Sequence, residues 1–181
     1  DSRIFQTKGT VSYTTNTTKD ASAVVYDEQV YETGNDGSIV VILDKGSSFI
    51  LFENTKLTVS KANESEIKLY LNKGNILASV SKRSDEQKFS VITDDAVCDI
   101  VGTIFNITVS PSDINTHITN LTVLEGKVKI SDKKNPTVYN FVETGEIASL
   151  HDHVLSEPYV YEEDLIATQS VELLKQVCSI S

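Results

Sequence analysis

The chain has 181 residues, of which 39% are hydrophobic and 23% are charged, proportions that are typical of a globular protein with a buried core. Its formal net charge of −10 repels phosphate backbones, so the composition argues against nucleic acid as a partner. No apolar stretch approaches the roughly eighteen residues that a membrane-spanning helix requires.

Short runs of β-branched and aromatic residues dominate the chain and predict β-strands. These runs are Ser38–Leu43, Phe49–Phe52, Lys56–Ser60, Glu66–Leu71, Ile76–Ser81, Lys88–Thr93, Ala96–Val101, Thr103–Val109, Ile118–Val123, Lys127–Ile130, Thr137–Val142 and Glu146–Leu150. Turn signals that contain glycine, such as Asn72-Lys73-Gly74, separate them. The threonine-rich residues 10–20 are interpreted as an exposed loop or hairpin. The pattern predicts a mainly β fold of many short strands, in a β-sandwich or solenoid-like body.

The chain changes character after Pro158, where apolar residues recur at helical spacing. These residues are Ile166, Leu173, Leu174, Val177 and Cys178. They predict one amphipathic helix over about residues 160–178, with three acidic residues at 162–164 in its first turn and Lys175 near its end, as the helix dipole favours. We expect its apolar stripe to be covered by the β body or by a partner.

The stretch VCDIVGTIFNITVS, residues 97–110, interrupts a β-branched run at Gly102-Thr103. Glycine within an apolar strand allows a bend or a close backbone approach, after which Phe105 can enter the core. The alternative is that Thr103 is a nucleophile, but none of the three histidines lies in a recognisable triad setting. The break is therefore interpreted as architectural.

His151 and His153 are the strongest candidates for a metal site, because imidazoles two residues apart on an extended strand face the same side. They lack an obvious third ligand, so a polar loop is the favoured interpretation. Cys98 and Cys178 are interpreted as buried small hydrophobic residues, and a single bridge between them stays open. The sequence thus predicts no catalytic, cofactor-binding or metal-binding residue, and no enzyme.

The order of features from Lys8 onward resembles the FecR-type domain family. The matching positions are Thr33-Gly34 in an early turn, Asp44 and Gly46-Ser47 in a DGS-like turn, Asn54-Thr55 and Leu57 at a strand entry, Gly74 in a "kG" turn, Gly102, Thr103 and Phe105 in the GT-x-F signature, Glu125-Gly126, and Gly145-Glu146. The match extends over roughly residues 8–150. The resemblance implies a β domain over residues 1–150 and a C-terminal extension over residues 151–181.

The resemblance further implies a bacterial protein of the periplasm, or another compartment outside the cytoplasm, that belongs to the cell envelope and takes part in signalling. In the best-known members, the domain relays an iron-responsive signal from an outer-membrane transporter to a sigma factor. Residues 151–181 are too few for the small docking domain that often follows, so we expect a general protein-interaction or signal-relay role. The expected partner is another envelope protein or a second copy, and membrane tethering would come from a segment absent from this chain.

Two other hypotheses stay open. The first is a cupin-like β-barrel that binds a small ligand or a metal, with His151 and His153 at its open end. The second is a structural piece of a surface assembly.

Overall fold

Two β-sheets pack face to face in the computed structural model, which describes residues 2–19, 25–44, 46–63, 65–113, 116–161 and 168–180. These residues contain sixteen strands and one helix near the C-terminus. The predicted mainly β fold with a C-terminal helix is confirmed, and its architecture is that of a sandwich.

Sheet A contains nine strands, of which the fourth along the chain also enters sheet B. In spatial order they are β1 (Arg3–Lys8), β4 (Ser38–Asp44), β5 (Ser47–Leu51), the second half of β7 (Glu66–Val80), β10 (Thr103–Asp113), β11 (Thr116–Glu125) and β14 (Glu146–His151), with the short strands β15 (Val154–Leu155) and β16 (Tyr159–Val160) on the edge of β14.

Sheet B faces sheet A across the core. In spatial order it contains β2 (Val11–Lys19), β3 (Val25–Thr33), β6 (Lys56–Asn63), the first half of β7, β8 (Lys88–Ile92), β9 (Ala96–Ile100), β12 (Lys127–Asp132) and β13 (Tyr139–Glu143). Among the described strands, β7 and β8 pair in parallel and the other pairs are antiparallel.

Strand β7 belongs to both sheets. Its residues up to Lys73 pair with β6 in sheet B, whereas Gly74 and the residues after it pair with β10 in sheet A. Gly74 has φ of 97°, and a Cβ at this position would lie 2.2 Å from Oγ1 of Thr55. The predicted turn at Asn72-Lys73-Gly74 was therefore wrong, because the glycine bends one continuous strand from sheet to sheet.

Gly102 and Gly126 lie at two other points where the chain changes sheet. Gly102 connects β9 to β10 with φ of 62°, and a Cβ there would lie 2.9 Å from Cα of Lys82. Gly126 connects β11 to β12 with φ of 101°, and its Cβ would lie 2.5 Å from Cγ2 of Thr103. Gly102 thus provides the expected close backbone approach, at a corner between strands, and Phe105 is fully buried beyond it.

The helix α1 (Thr168–Ile180) covers the part of the outer face of sheet A that β4, β5 and β7 form. Leu174 and Val177 are buried in an apolar cluster against Val40, Ile50 and Leu77 of that face. The apolar stripe of the helix is therefore covered by the β body, the first of the two expected alternatives. Burial of each such aliphatic side chain stabilises the attachment by about 1.5–3 kcal/mol.

Tyr159–Val160 pair with β14 as β16, so residue 160 does not belong to the helix as predicted, and the described residues of the helix are Thr168–Ile180. The acidic residues at 162–164 lie outside the described residues. The described helix has no acidic residue in its first turn and no basic residue in its last. In the part of the chain that the structure describes, no helix has both the length and the apolar character needed to cross a bilayer.

We predict that Gly102→Ala destabilises the fold more than Gly145→Ala. Both residues have positive φ, which costs a side-chain-bearing residue about 1–2 kcal/mol. A Cβ on Gly145 meets no atom within 4 Å, whereas one on Gly102 meets the backbone of Lys82. Gly102→Ala should cost a further ~1–3 kcal/mol in the free energy of unfolding, measured by urea denaturation. Equal costs would show that the close approach is unimportant.

We predict that Leu174→Ala loosens α1 from sheet A, at a cost of about 2–5 kcal/mol for a buried leucine. The exposed Lys175 on the same helix provides the control, and Lys175→Ala should change stability by less than about 0.5 kcal/mol. Hydrogen exchange of the helix amides distinguishes loosening from global unfolding. Identical exchange in the two variants would contradict the described packing.

Candidate interaction surface

The outer faces of the two sheets differ in what covers them. α1 lies over sheet A, whereas no described element packs on the outer face of sheet B, which we call the open face. The side chains of the open face come from alternate residues of β7, β8, β9, β12 and β13, whose intervening residues point into the core. The open face is therefore a described surface that is available for contacts.

A groove of about 540 Å³ lies on the open face, beside β8 and β9. Residues 81–87, which connect β7 to β8, form its wall. Arg83 fixes this connection, because its guanidinium donates to Asp44 at 2.5 Å and to the hydroxyl of Ser47 at 3.1 Å and lies 5.2 Å from the ring centroid of Phe89. These contacts hold the β7–β8 connection, and therefore the wall of the groove, in place.

The lining of the groove combines aliphatic residues with charges of both signs. Ile92, Val97 and Val101 contribute the apolar surface, and Val101 is 60% exposed. The charged lining residues are Glu66, Lys68, Arg83, Asp85, Lys88 and Asp99. Because acids and bases are interspersed, the groove has no single sign of charge with which to select a phosphate or a metal ion. A mixed surface of this kind suits a polypeptide.

Two aromatic side chains mark the end of the open face. Tyr139 and Phe141 on β13 are 47% and 49% exposed, and their rings meet edge to face with centroids 5.8 Å apart. The ammonium of Lys127 lies 4.6 Å from the ring centroid of Phe141, and that of Lys129 lies 4.6 Å from the ring centroid of Tyr139. We call these four residues the aromatic edge. Exposed aromatic rings with nearby cations are features of protein interfaces.

The structure does not place His151 and His153 on the same side of an extended strand, as the metal-site hypothesis requires. β14 ends at His151, and Asp152 and His153 follow with φ of 49° and 63° in the tight turn to β15. The two imidazoles therefore do not share the face of an extended strand. Among the described residues, no group of three His, Cys, Asp or Glu side chains is arranged to hold a metal ion.

The interior of the sandwich also differs from the cupin-like alternative. It is filled by large apolar side chains, among them Phe49, Phe105, Leu69, Ile76 and Ile107, which are all essentially inaccessible to solvent. His151 and His153 lie at a hairpin turn and do not line the mouth of a barrel.

His153 instead pairs with a buried carboxylate. Its Nδ1 lies 3.0 and 3.2 Å from the two carboxylate oxygens of Asp132, whose side chain is 3% exposed. The hydrogen bond with His153 and the backbone N–H of Lys134 lower the pKa of Asp132, against the opposing effect of its desolvation. This pair joins the end of β12 to the β14–β15 turn, next to the aromatic edge.

Two other residues considered in the sequence analysis, Thr103 and Cys98, are buried. Thr103 is 3% exposed and packs against Gly126 at the corner between the sheets, so its position is structural. Cys98 is a free, fully buried cysteine, and desolvation raises the pKa of its thiol. The side chain of Cys178 lies outside the described residues, so the bridge between the two cysteines stays untested.

The described residues thus define a two-sheet β-sandwich with one face covered by its own helix and the other open. The sequence model of the family described as FecR protein matches residues 29–146, more than half of the chain. The chain therefore belongs to the FecR protein family, and the resemblance read from its motifs is confirmed. No curated protein matches the chain significantly.

Two solved structures share the fold. Both are crystal structures of a protein described as a candidate anti-sigma factor from Parabacteroides distasonis, at 2.50 and 1.65 Å resolution. The first has a TM-score of 0.62 and 14% identity, covering 75% of this chain and 61% of the other. The second has a TM-score of 0.61 and 14% identity, covering 74% and 60%. The chain thus spans about three fifths of the length of these structures, and at this identity the similarity establishes a common fold.

We predict that Asp132→Asn destabilises the protein at neutral pH by about 1–3 kcal/mol, because it leaves a buried hydrogen-bonding site poorly satisfied. The lowered pKa means that the carboxylate stabilises the fold above the ordinary carboxyl pKa near 4. This stabilisation is lost as the pH falls through the lowered value. The cost of Asp132→Asn should therefore shrink on acidification.

The measurement is urea denaturation of both proteins between about pH 7 and pH 3. Asp152→Asn is the control, because Asp152 is exposed in the adjacent turn and asparagine tolerates its positive φ. A cost of Asp132→Asn that is independent of pH, or equal to that of Asp152→Asn, would contradict a stabilising role for the charge.

Proposed function

We propose that the protein is a non-catalytic regulatory module of the bacterial envelope that works outside the cytoplasm and relays a signal by contact with another protein. The observation that carries this proposal is the family match over residues 29–146. That range includes Gly74, Gly102 and Gly126, so the matched motifs coincide with the residues that hold the two sheets together. The fold that this chain shares with a candidate anti-sigma factor supports a regulatory role.

The geometry of the site supports contact with a protein. The open face offers a groove of mixed charge and exposed aromatic side chains, and such surfaces recognise polypeptides more readily than small anions. The most buried carboxylate described here, Asp132, is engaged by His153 and Lys134 at a structural junction. The described arrangement therefore favours binding over acid–base chemistry.

We further propose that residues 1–150 form the FecR-like domain and that residues 151–181 are an extension that folds back on it. The contacts of Leu174 and Val177 with sheet A support an internal role for the helix of this extension. The partner is then another envelope protein or a second copy of the chain, bound at the open face. Any membrane tether belongs to a segment outside residues 1–181.

Site-specific photo-crosslinking in the native host tests the proposal. A crosslinking amino acid at Val97, in the groove of the open face, should capture a discrete envelope protein. The same group at the exposed Lys175, on the covered side of the sandwich, is the matched control and should capture little. A fusion to an alkaline phosphatase, which is active only outside the cytoplasm, tests the location.

Each outcome bears on a separate part of the proposal. Equal capture at Val97 and Lys175 would overturn the open face as the binding surface, and a fusion inactive in intact cells would overturn the location. Deletion of the gene should change transcription of a limited set of genes, and an unchanged transcript profile would overturn the regulatory role. Crosslinked ladders of the chain itself, without a second protein, would favour the surface-assembly alternative.

A further inference from the structure

Strand β13 ends sheet B with backbone groups that no described strand satisfies. The N–H of Asp132 donates to the carbonyl of Val138 at 2.9 Å, which fixes the pattern of bonds along the pair β12–β13. Directly opposite residues alternate between bonded and non-bonded pairs in an antiparallel ladder. Tyr139 and Phe141 fall in non-bonded pairs with Ser131 and Lys129, so their N–H and C=O groups point away from β12.

The outward donor at the end of the strand is already satisfied. The N–H of Glu143 donates to Oε2 of Glu146 at 2.8 Å. The open part of the edge is therefore the stretch from Tyr139 to Phe141. The side-chain amide of Asn140, between them, donates to the carbonyl of Ser156 at 2.9 Å, which holds this stretch against the neighbouring segment. The edge is thus ordered before any partner arrives, which lowers the entropic cost of binding.

The other described edges are less suited to accept a strand. The pairing of β1 is interrupted by a register shift between Ile4 and Gln6, and irregular edges resist further pairing. β15 and β16 contain two residues each. β2 is longer, but among its described side chains Tyr13 is the one large exposed aromatic group, and its neighbours from Ser12 to Asn16 are small and polar. β13 alone among them combines regular pairing with two large exposed aromatic side chains.

The charge of this region is opposite to that of the whole chain. Residues 127–143 contain four lysines and two carboxylates, whereas the chain carries −10. Of the two carboxylates, Asp132 is buried and paired with His153, and Glu143 pairs with Lys127 at 3.3 Å. Lys129 therefore provides the ammonium group over the edge that has no carboxylate partner among the described ion pairs. Lys127 and Lys129 extend over the rings of Phe141 and Tyr139, so their ammonium groups lie above the edge strand. A strand added to β13 would lie about 4.8 Å farther out, within reach of these ammonium groups.

We propose that β13 accepts an extended acidic segment of a partner protein as an additional strand of sheet B. Backbone bonds to Tyr139 and Phe141 give the affinity, and acidic side chains on the same face as Lys127 and Lys129 give the selectivity. The inference deepens the proposed function, on which it rests, by naming the edge and the chemistry of the partner. A second copy paired through β13 is disfavoured, because its lysines would face the lysines of the first.

The test uses the full chain and a capped synthetic peptide of about nine residues that alternates glutamate with valine or threonine. A peptide of the same pattern with lysine in place of glutamate is the control. Fluorescence anisotropy should show binding of the acidic peptide that weakens with added salt, and at least about tenfold weaker binding of the basic peptide. Hydrogen exchange should show that the acidic peptide protects the amides of Tyr139 and Phe141.

Substitutions separate the backbone contribution from that of the side chain. Phe141→Pro removes the outward N–H without removing a bond to β12, because proline is tolerated where an edge N–H faces solvent. It should weaken binding about three- to tenfold relative to Phe141→Thr, which keeps the N–H and also lacks the ring. Thermal melting checks that both variants fold. If Phe141→Pro does not fold, the protection of the amides of Tyr139 and Phe141 in the unmodified protein decides whether the peptide pairs with β13.

A second pair of variants tests the charge. Lys129→Gln should weaken binding of the acidic peptide about two- to fivefold. Lys73→Gln makes the same change in net charge at an exposed lysine on β7, which is not adjacent to β13 in the sheet, and should leave binding unchanged. Equal effects would mean that only the overall charge matters and would overturn the proposed docking site.

The outcomes also separate this inference from the proposed function. Equal binding of the acidic and basic peptides, or absence of protection at Tyr139 and Phe141, would overturn the acidic strand at β13. If Val97 still captured an envelope protein in that case, the proposed function would stand and only the edge would be wrong. A dimer that forms through β13 in sedimentation experiments and is lost in Phe141→Pro would overturn the assignment to an acidic partner.

Discussion

The two facing sheets depend on backbone conformations that allow the chain to leave one sheet and enter the other. Residues with positive φ mark these crossings: Gly9, Asn54, Gly74, Gly102, Gly126 and Gly145. At Gly74, Gly102 and Gly126 a Cβ would also collide with a neighbouring residue, so both the conformation and the space exclude a larger side chain. The glycines of the "kG" turn, the GT-x-F signature and Glu125-Gly126 are thus explained by packing at corners.

Much of the fold could be predicted because alternating apolar residues define both the strands and the faces that they bury. The runs from Ser38 onward correspond to strands that line the core. The glycine after Asn72 could not be assigned correctly from the sequence, since a glycine that ends a strand and one that bends it give the same local signal. Residues 10–20 were interpreted as a loop or hairpin, whereas most of them form the single strand β2, which pairs with β3; the polar and hydroxyl-bearing residues of both strands show little alternation. The helix was predicted from its apolar spacing, but the predicted start near residue 160 was wrong, because Tyr159–Val160 pair with β14.

The candidate surface was largely beyond sequence reasoning, because it depends on which strands become neighbours. The segment of β13 was predicted as a strand, yet nothing local shows that it ends a sheet or that Lys129 lies over Tyr139. The partner of His153 is Asp132, twenty-one residues earlier in the chain, and the two meet only because β12 and β15 come together at one end of the sandwich. The spacing of His151 and His153 suggested that both imidazoles lie on the same face of a strand, but the two residues lie at a tight turn. The alternate lysines at 127 and 129 were the one available signal for the aromatic edge.

The continuous strand β7 gives the two layers a common backbone. Its first half lies beneath the open face, beside β8, and its second half lies beneath α1, beside β5. A displacement of the first half along its axis must therefore move the second half, since no loop intervenes to absorb it. The two surfaces of this molecule are connected through one extended segment without an intervening loop, which provides a direct mechanical link between them.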